Sequence, residues 1–273
     1  MSGASLVTMK KIERNGRYAS RAAIAAAAFL SMVQSLCAQG SAGTQGKSEP
    51  RFLVDMPTAG ILEKGTFAVD VDFYQEGGVL AGLSAGIFER LMIGVSYGGS
   101  RLLGKENAVM NPMPGVSLRL RILEESLALP ALTLGFDSQG KDGYLKDLDR
   151  YTVKSPGLYA VVSKNYLLLG YLSLHAGINY SFERADQDKS FNLYAGAEKT
   201  LGPVFSILAE YNLAMNDNSG QAIGRGRGYM NLALKWSLAG AVTLGVNFKD
   251  ILKNSRAGNL VGRTARIEIV ADL

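Results

Sequence analysis

Residues 228–248 read GYMNLALKWSLAGAVTLGVNF, nearly long enough for one membrane-spanning helix but interrupted by a lysine. Met230, Leu232, Leu234 and Trp236 alternate with Tyr229, Asn231, Ala233, Lys235 and Ser237. After Ala239-Gly240 the rhythm resumes, with Val242, Leu244, Val246 and Phe248 against Thr243, Gly245, Asn247 and Lys249. A period of two puts one apolar and one polar face on a strand, whereas a helix would scatter Asn231, Lys235 and Asn247 around its surface. The stretch is a β-hairpin.

The same alternation recurs at 67–73, 91–97, 116–122, 172–182, 205–213 and 263–273, and more weakly at 79–88, 130–137, 157–165 and 190–199. About twelve strands result, an even number within the range of bacterial outer-membrane barrels. After the first hairpin the connections alternate between short turns (89–90, 165–167, 201–203, 238–240) and long polar loops (99–114, 138–156, 183–189, 215–227, 250–262). Outer-membrane barrels sort their connections in this way, with short periplasmic turns and longer outer loops. The expected fold is therefore an all-β, closed antiparallel transmembrane β-barrel over 65–273 with periplasmic termini. An exported sandwich or lipocalin-like barrel would use the same alternation with its apolar face inside, since the period alone does not say which face is outward.

Outward aromatics extend the pattern. Phe73, Tyr97, Phe136, Tyr180, Phe182, Phe191 and Phe248 fall near the outer strand ends, and Phe67, Phe205 and Trp236 near the inner ends, as two interfacial girdles would. The chain ends in Leu273 rather than an aromatic residue, though the alternation reaches it.

Ahead of the barrel, Lys10, Lys11, Arg14, Arg17 and Arg21 precede an apolar run from Ala22 to Leu36 and a small residue at Ala38. This is the three-part pattern of a cleaved signal peptide over 1–38, with Met9 as an alternative start. Cys37 stands in a poor lipobox, so lipidation is not expected. Cleavage would remove the only cysteine together with five basic residues and Glu13 from totals of 29 basic and 24 acidic, leaving a nearly neutral chain. A nucleic-acid partner then loses its electrostatic basis. Residues 39–64 form a short periplasmic or lumen segment.

If the apolar face meets lipid, the other face lines a lumen carrying Asp70, Asp72, Arg119, Arg121, Asp137, Glu198, Glu210, Lys235, Lys249, Arg266 and Glu268. Mixed signs favour ion pairs that brace a narrow barrel over a one-sided permeation filter. Closure of the sheet places Arg266 and Glu268 beside Asp70 and Asp72. Small lumen residues, among them Gly82, Ser84, Gly86, Gly94, Gly135 and Gly177, either ease sheet curvature or leave room for a solute or for 39–64 to fold in as a plug. The only histidine, His175, shares its face with Ser173 and Asn179. Residues two apart on one strand are separated by about 7 Å, too far for a nucleophile–base pair, so His175 reads as a polar lumen residue. GRGRG at 224–228 lacks the strand-to-helix setting of a phosphate loop. Asp142, Asp147 and Asp149 miss the EF-hand spacing. Loop 138–156 reads as a solvated loop, long enough to fold over or into the mouth.

The segment LVDMPTAGILEKGTFAVDVDF (53–73) resembles the opening of the YjbH-like outer-membrane family, linked to exopolysaccharide export. LALPALTLGFDSQG (127–140), LDRYTVKSPGLYAVVSKNY (148–166) and GRGRGYMNLALKWS (224–237) are similar to uncharacterised short barrels with that opening. The resemblance implies a non-enzymatic structural or export-accessory role with polysaccharide-export components as partners, beside the outer-membrane lipid and barrel-assembly machinery that a barrel of this kind requires. It implies no cofactor, metal or catalytic residue. The alternative is a narrow, porin-like channel for small hydrophilic solutes, and a hydrolase stands third.

Overall fold

The computed structural model describes residues 42–44, 48–105, 107–238, 241–256 and 262–272. The expected signal peptide, Cys37 and Leu273 lie outside these residues. Twelve strands form the wall: β1 (Thr66–Tyr74), β2 (Gly78–Phe88), β3 (Leu91–Ser100), β4 (Gly115–Leu123), β5 (Ala131–Asp137), β6 (Gly157–Leu167), β7 (Tyr171–Tyr180), β8 (Asn192–Leu201), β9 (Phe205–Asn212), β10 (Tyr229–Leu238), β11 (Val242–Lys249) and β12 (Gly262–Asp272). Each pairs antiparallel with its sequence neighbours. β1 pairs with β12 from Thr66↔Asp272 to Phe73↔Ala265, which closes the sheet and leaves no edge.

The direction of the faces follows from burial. Leu83, Val95, Val116, Leu158, Ile207 and Trp236 are exposed on the outside, while Arg119, Arg121, Glu210 and Lys235 are buried inside. A water-soluble barrel would reverse this, because each large apolar side chain left in water forgoes about 1.5–3 kcal/mol. Hydrocarbon reverses the preference, and closure satisfies every wall amide that lipid could not. The protein is an outer-membrane β-barrel.

Strand ends fall a few residues beyond the turns read from sequence. The inner connections after β6 and β8 are 168–170 and 202–204, because alternation fades at strand ends before hydrogen bonding does. The outer turn between β1 and β2 is tight, with Glu76 and Gly77 both at positive φ (58° and 63°), as a two-strand reversal with native twist requires. The aromatics gather as two groups. Phe205 stacks on Trp236 at 5.8 Å on the inner side. On the outer side Phe182 lies 6.1 Å from both Phe136 and Tyr180, and Arg184 covers the Tyr180 and Phe182 rings.

Candidate functional site: the filled lumen

Residues 49–62 rise from the periplasmic end into the barrel, reverse at 53–57, and descend to β1. The reversal is built locally. The Leu53 N–H donates to the Met56 carbonyl at 2.9 Å, and Phe52 bridges Pro57. Pro57 supplies a fixed φ and no donor of its own. Below, the Thr58 N–H donates to the Arg51 carbonyl at 3.1 Å, and the Gly43 N–H reaches Ser206 Oγ at 2.9 Å beside the 202–204 turn.

The apolar residues of this plug meet small apolar patches on the wall. Leu53 and Val54 pack on Leu208 and Ala233, Met56 and Ala59 on Ala131, Tyr159, Val161 and Tyr194, and Ile61 and Leu62 on Ala68 and Met92. Two lumen glycines make room for rings, since a Cβ at Gly135 or Gly177 would sit 2.1 Å from the Tyr159 ring or 2.3 Å from the Tyr194 ring. Tyr194 Oη in turn donates to the Pro57 carbonyl at 3.0 Å.

Most of the expected lumen charges turn toward the plug. Glu210 accepts the N–H groups of Val54, Asp55 and Met56 on one oxygen at 2.9–3.0 Å. Arg119 donates to the Arg51 and Gly60 carbonyls at 2.7 and 3.1 Å. Arg121 binds the Ala59 carbonyl at 2.8 Å and pairs with Glu49 and Glu124. Lys235 donates to the Phe52 carbonyl at 3.1 Å and lies 3.8 Å from Glu198. Lys249 pairs with Asp55 at 2.8 Å.

At the closing seam the register sets Asp72 opposite Arg266, joined at 2.5 and 2.8 Å, and Asp70 opposite Glu268. The seam network expected from the wall alone is incomplete, because the second pair consists of two carboxylates. Arg51 of the plug supplies the cation, bidentate to Asp70 at 2.8 and 3.0 Å and 3.4 Å from Glu268. Above it the Phe52 ring is surrounded by Arg119, Lys141 and Arg266, at 4.5, 4.9 and 5.1 Å from the centroid. Asp137 stands apart from the plug and accepts the Gln139 N–H at 2.9 Å.

His175 is buried, and its neighbour is not the Ser173 of its own strand. Ser163, directly across on β6, lies 2.7 Å from His175 Nδ1 and also accepts the Ala59 N–H at 2.9 Å. The plug backbone thus covers this serine–histidine pair. Asn179 donates to the Pro156 carbonyl and accepts from Asn192, each at 2.9 Å.

Loop 138–156 is a hairpin, Lys141–Leu145 against Arg150–Val153, folded into the outer mouth. Its second strand is anchored by Arg150, which pairs with Asp186 and Asp217 at 2.7 and 2.6 Å, and by Lys154 with Asp186 at 2.7 Å. Between the hairpin and the opposite wall lies a cavity of about 480 Å³, lined by Tyr74, Tyr144, Asn212, Tyr229 and Asn231 and reaching Asp55 at the plug tip.

Sequence reasoning missed Arg51, Asp55, Ser163, Lys141 and Asp142. Arg51 and Asp55 flank a segment without periodicity, and the other three meet their partners only through sheet register or loop folding. The one available signal was the charge imbalance at the seam, where Asp70, Asp72 and Glu268 outnumber Arg266.

No family model and no curated protein matches the chain. Among solved structures, a "KdgM porin" is 10% identical, covering 76% of this chain and 99% of its own at a TM-score of 0.44. "Outer membrane protein Omp33" of Acinetobacter baumannii is 11% identical, covering 78% and 99% at 0.43. A "NanC porin" is 7% identical, covering 76% and 99% at 0.43. These neighbours correct the leading functional expectation. Their names are those of porins and an outer-membrane protein, and the structural or export-accessory role tied to exopolysaccharide is corrected to its alternative, taken up below on the geometry of the lumen.

Proposed function

We propose that the protein is a narrow, non-enzymatic channel for small hydrophilic solutes, held closed by its own N-terminal segment after export and removal of residues 1–38. The observation that supports this most directly is where the lumen charges point. A barrel braced for strength alone would pair its charges wall to wall. Here Glu210, Arg119, Arg121 and Lys235 bind backbone groups of a segment tethered at one end, which is able to leave without breaking the wall. With the segment out, the wall behind it is lined by these charges and by small residues, and it leads to the outer cavity. A hydrolase is disfavoured because Ser163 and His175 face inward beneath Ala59, away from lipid.

Planar-bilayer recording of refolded residues 39–273 tests this reading. The wild type should conduct in brief, infrequent steps. Glu210→Ala removes the acceptor of three N–H groups, and each hydrogen bond to a charged group is worth roughly 1.5–3 kcal/mol. It should therefore give long-lived openings. Silence from both proteins, each folded by heat-modifiable mobility, would overturn the channel.

A further inference from the structure

The outer hairpin touches the plug directly at Phe52 and shares with it one wall residue, Lys249. Lys141 Nζ lies 3.0 Å from Asp72 Oδ2 and 4.9 Å from the centre of the Phe52 ring of the plug. Its neighbour Asp142 lies 2.7 Å from Lys249 Nζ, and the same ammonium is 2.8 Å from Asp55 at the plug tip. Two consecutive hairpin residues thus reach the plug, Lys141 directly over the Phe52 ring and Asp142 through Lys249 on β11.

Asp142 adopts φ +63°, a left-handed conformation that non-glycine residues seldom hold unless their surroundings enforce it. It stands in the register shift between Lys141 and Tyr144, the bulge that turns its carboxylate toward Lys249. The hairpin's other strand is fixed independently by Arg150 and Tyr151, whose N–H donates to Glu183 at 2.9 Å. The hairpin is therefore anchored along one strand and held along the other by side chains at the cavity. Asp142, Lys249 and Asp55 all line that cavity, so a solute arriving from outside meets them before it meets any other part of the plug.

We propose that Lys141 and Asp142 are a latch: the hairpin seated in the mouth keeps the plug docked, and lifting it from the outer side releases the plug. The proposal rests on the channel reading and adds the direction from which the channel is opened. A solute that fills the cavity and displaces Asp142 from Lys249 frees the Lys249–Asp55 pair to exchange with water. Lifting the hairpin takes Lys141 off the Phe52 ring and opens the Lys249–Asp55 pair to water, where an exposed ion pair holds little.

The test uses Met56→Cys in the refolded protein, whose one native cysteine, Cys37, falls within the segment expected to be removed. Met56 is 2% exposed, so a membrane-impermeant maleimide reacts there only when the plug has left. In this background Asp142→Asn and Lys141→Gln should each raise the labelling rate roughly tenfold or more, the effect of losing one charge-assisted bond. Asp147→Asn, on the same hairpin but outside the latch, should leave it unchanged. Glu210→Ala serves as the positive control. Fast labelling of Glu210→Ala beside wild-type rates for both latch variants overturns the proposal. Fast labelling of the latch variants without conductance in any protein upholds the latch and removes the channel.

Discussion

Arg51 stands between two carboxylates that the closing strand pair sets opposite one another. Removing one partner of a buried ion pair leaves the other charge uncompensated, at a cost of roughly 3–5 kcal/mol. Arg51→Ala should therefore lower the temperature at which the folded band loses its heat-modifiable mobility. Arg51→Lys should fall between, because an ammonium keeps the charge but not the two-pronged fit to Asp70. Equal mobility for Arg51→Ala and wild type would show that water, not Arg51, neutralises the seam. Phe52 makes a parallel case: three cations around one ring stabilise a residue that, judged by hydrophobicity alone, would read as an ordinary core side chain.

At the scale of elements, the outer loops are joined by carboxylates. Asp188, in the loop between β7 and β8, accepts the N–H groups of Asn218 and Ser219 from the loop between β9 and β10 at 2.9 and 3.0 Å. Burial pushes its carboxyl up, but the backbone N–H groups of Asn218, Ser190 and Ser219 outweigh that and hold it below the ordinary carboxylate range. A depressed carboxyl contributes stability that is complete above the unfolded value, about 3.9, and is lost as pH falls through the lower folded value. Proteolysis of these loops by an acid protease should accelerate as pH drops below about 4. In Asp188→Asn it should already be fast at pH 5 and change little on acidification. The strands, their number and their facing were legible in the sequence because alternation is a local property that every barrel strand must carry. The plug was not legible in the same way. DMPTAG has no period, and what it binds is set by strands as many as 194 residues away. The Ser163–His175 contact was hidden for a related reason: neighbours on one strand can be counted, but neighbours across strands depend on register.

For the molecule as a whole, the plug determines how a polar wall behaves electrically. Acidic residues exceed basic ones by one among the eleven lumen charges, so an opened lumen should prefer cations weakly. Glu210→Lys both loosens the plug and moves the lining by two charges, and its reversal potential in a salt gradient should shift toward anions. A shift toward cations would mean that ions take another path. The seam also has a consequence for assembly. β1 and β12 join residues as far apart as 206 positions, the most distant pairing in the wall and the last that loop closure favours. A barrel that seals while empty brings Asp70 against Glu268 with nothing between them. One that seals around residues 49–62 finds Arg51 already there. The segment that fills the lumen should thus serve as a proofreader of closure, favouring the filled barrel over the hollow one.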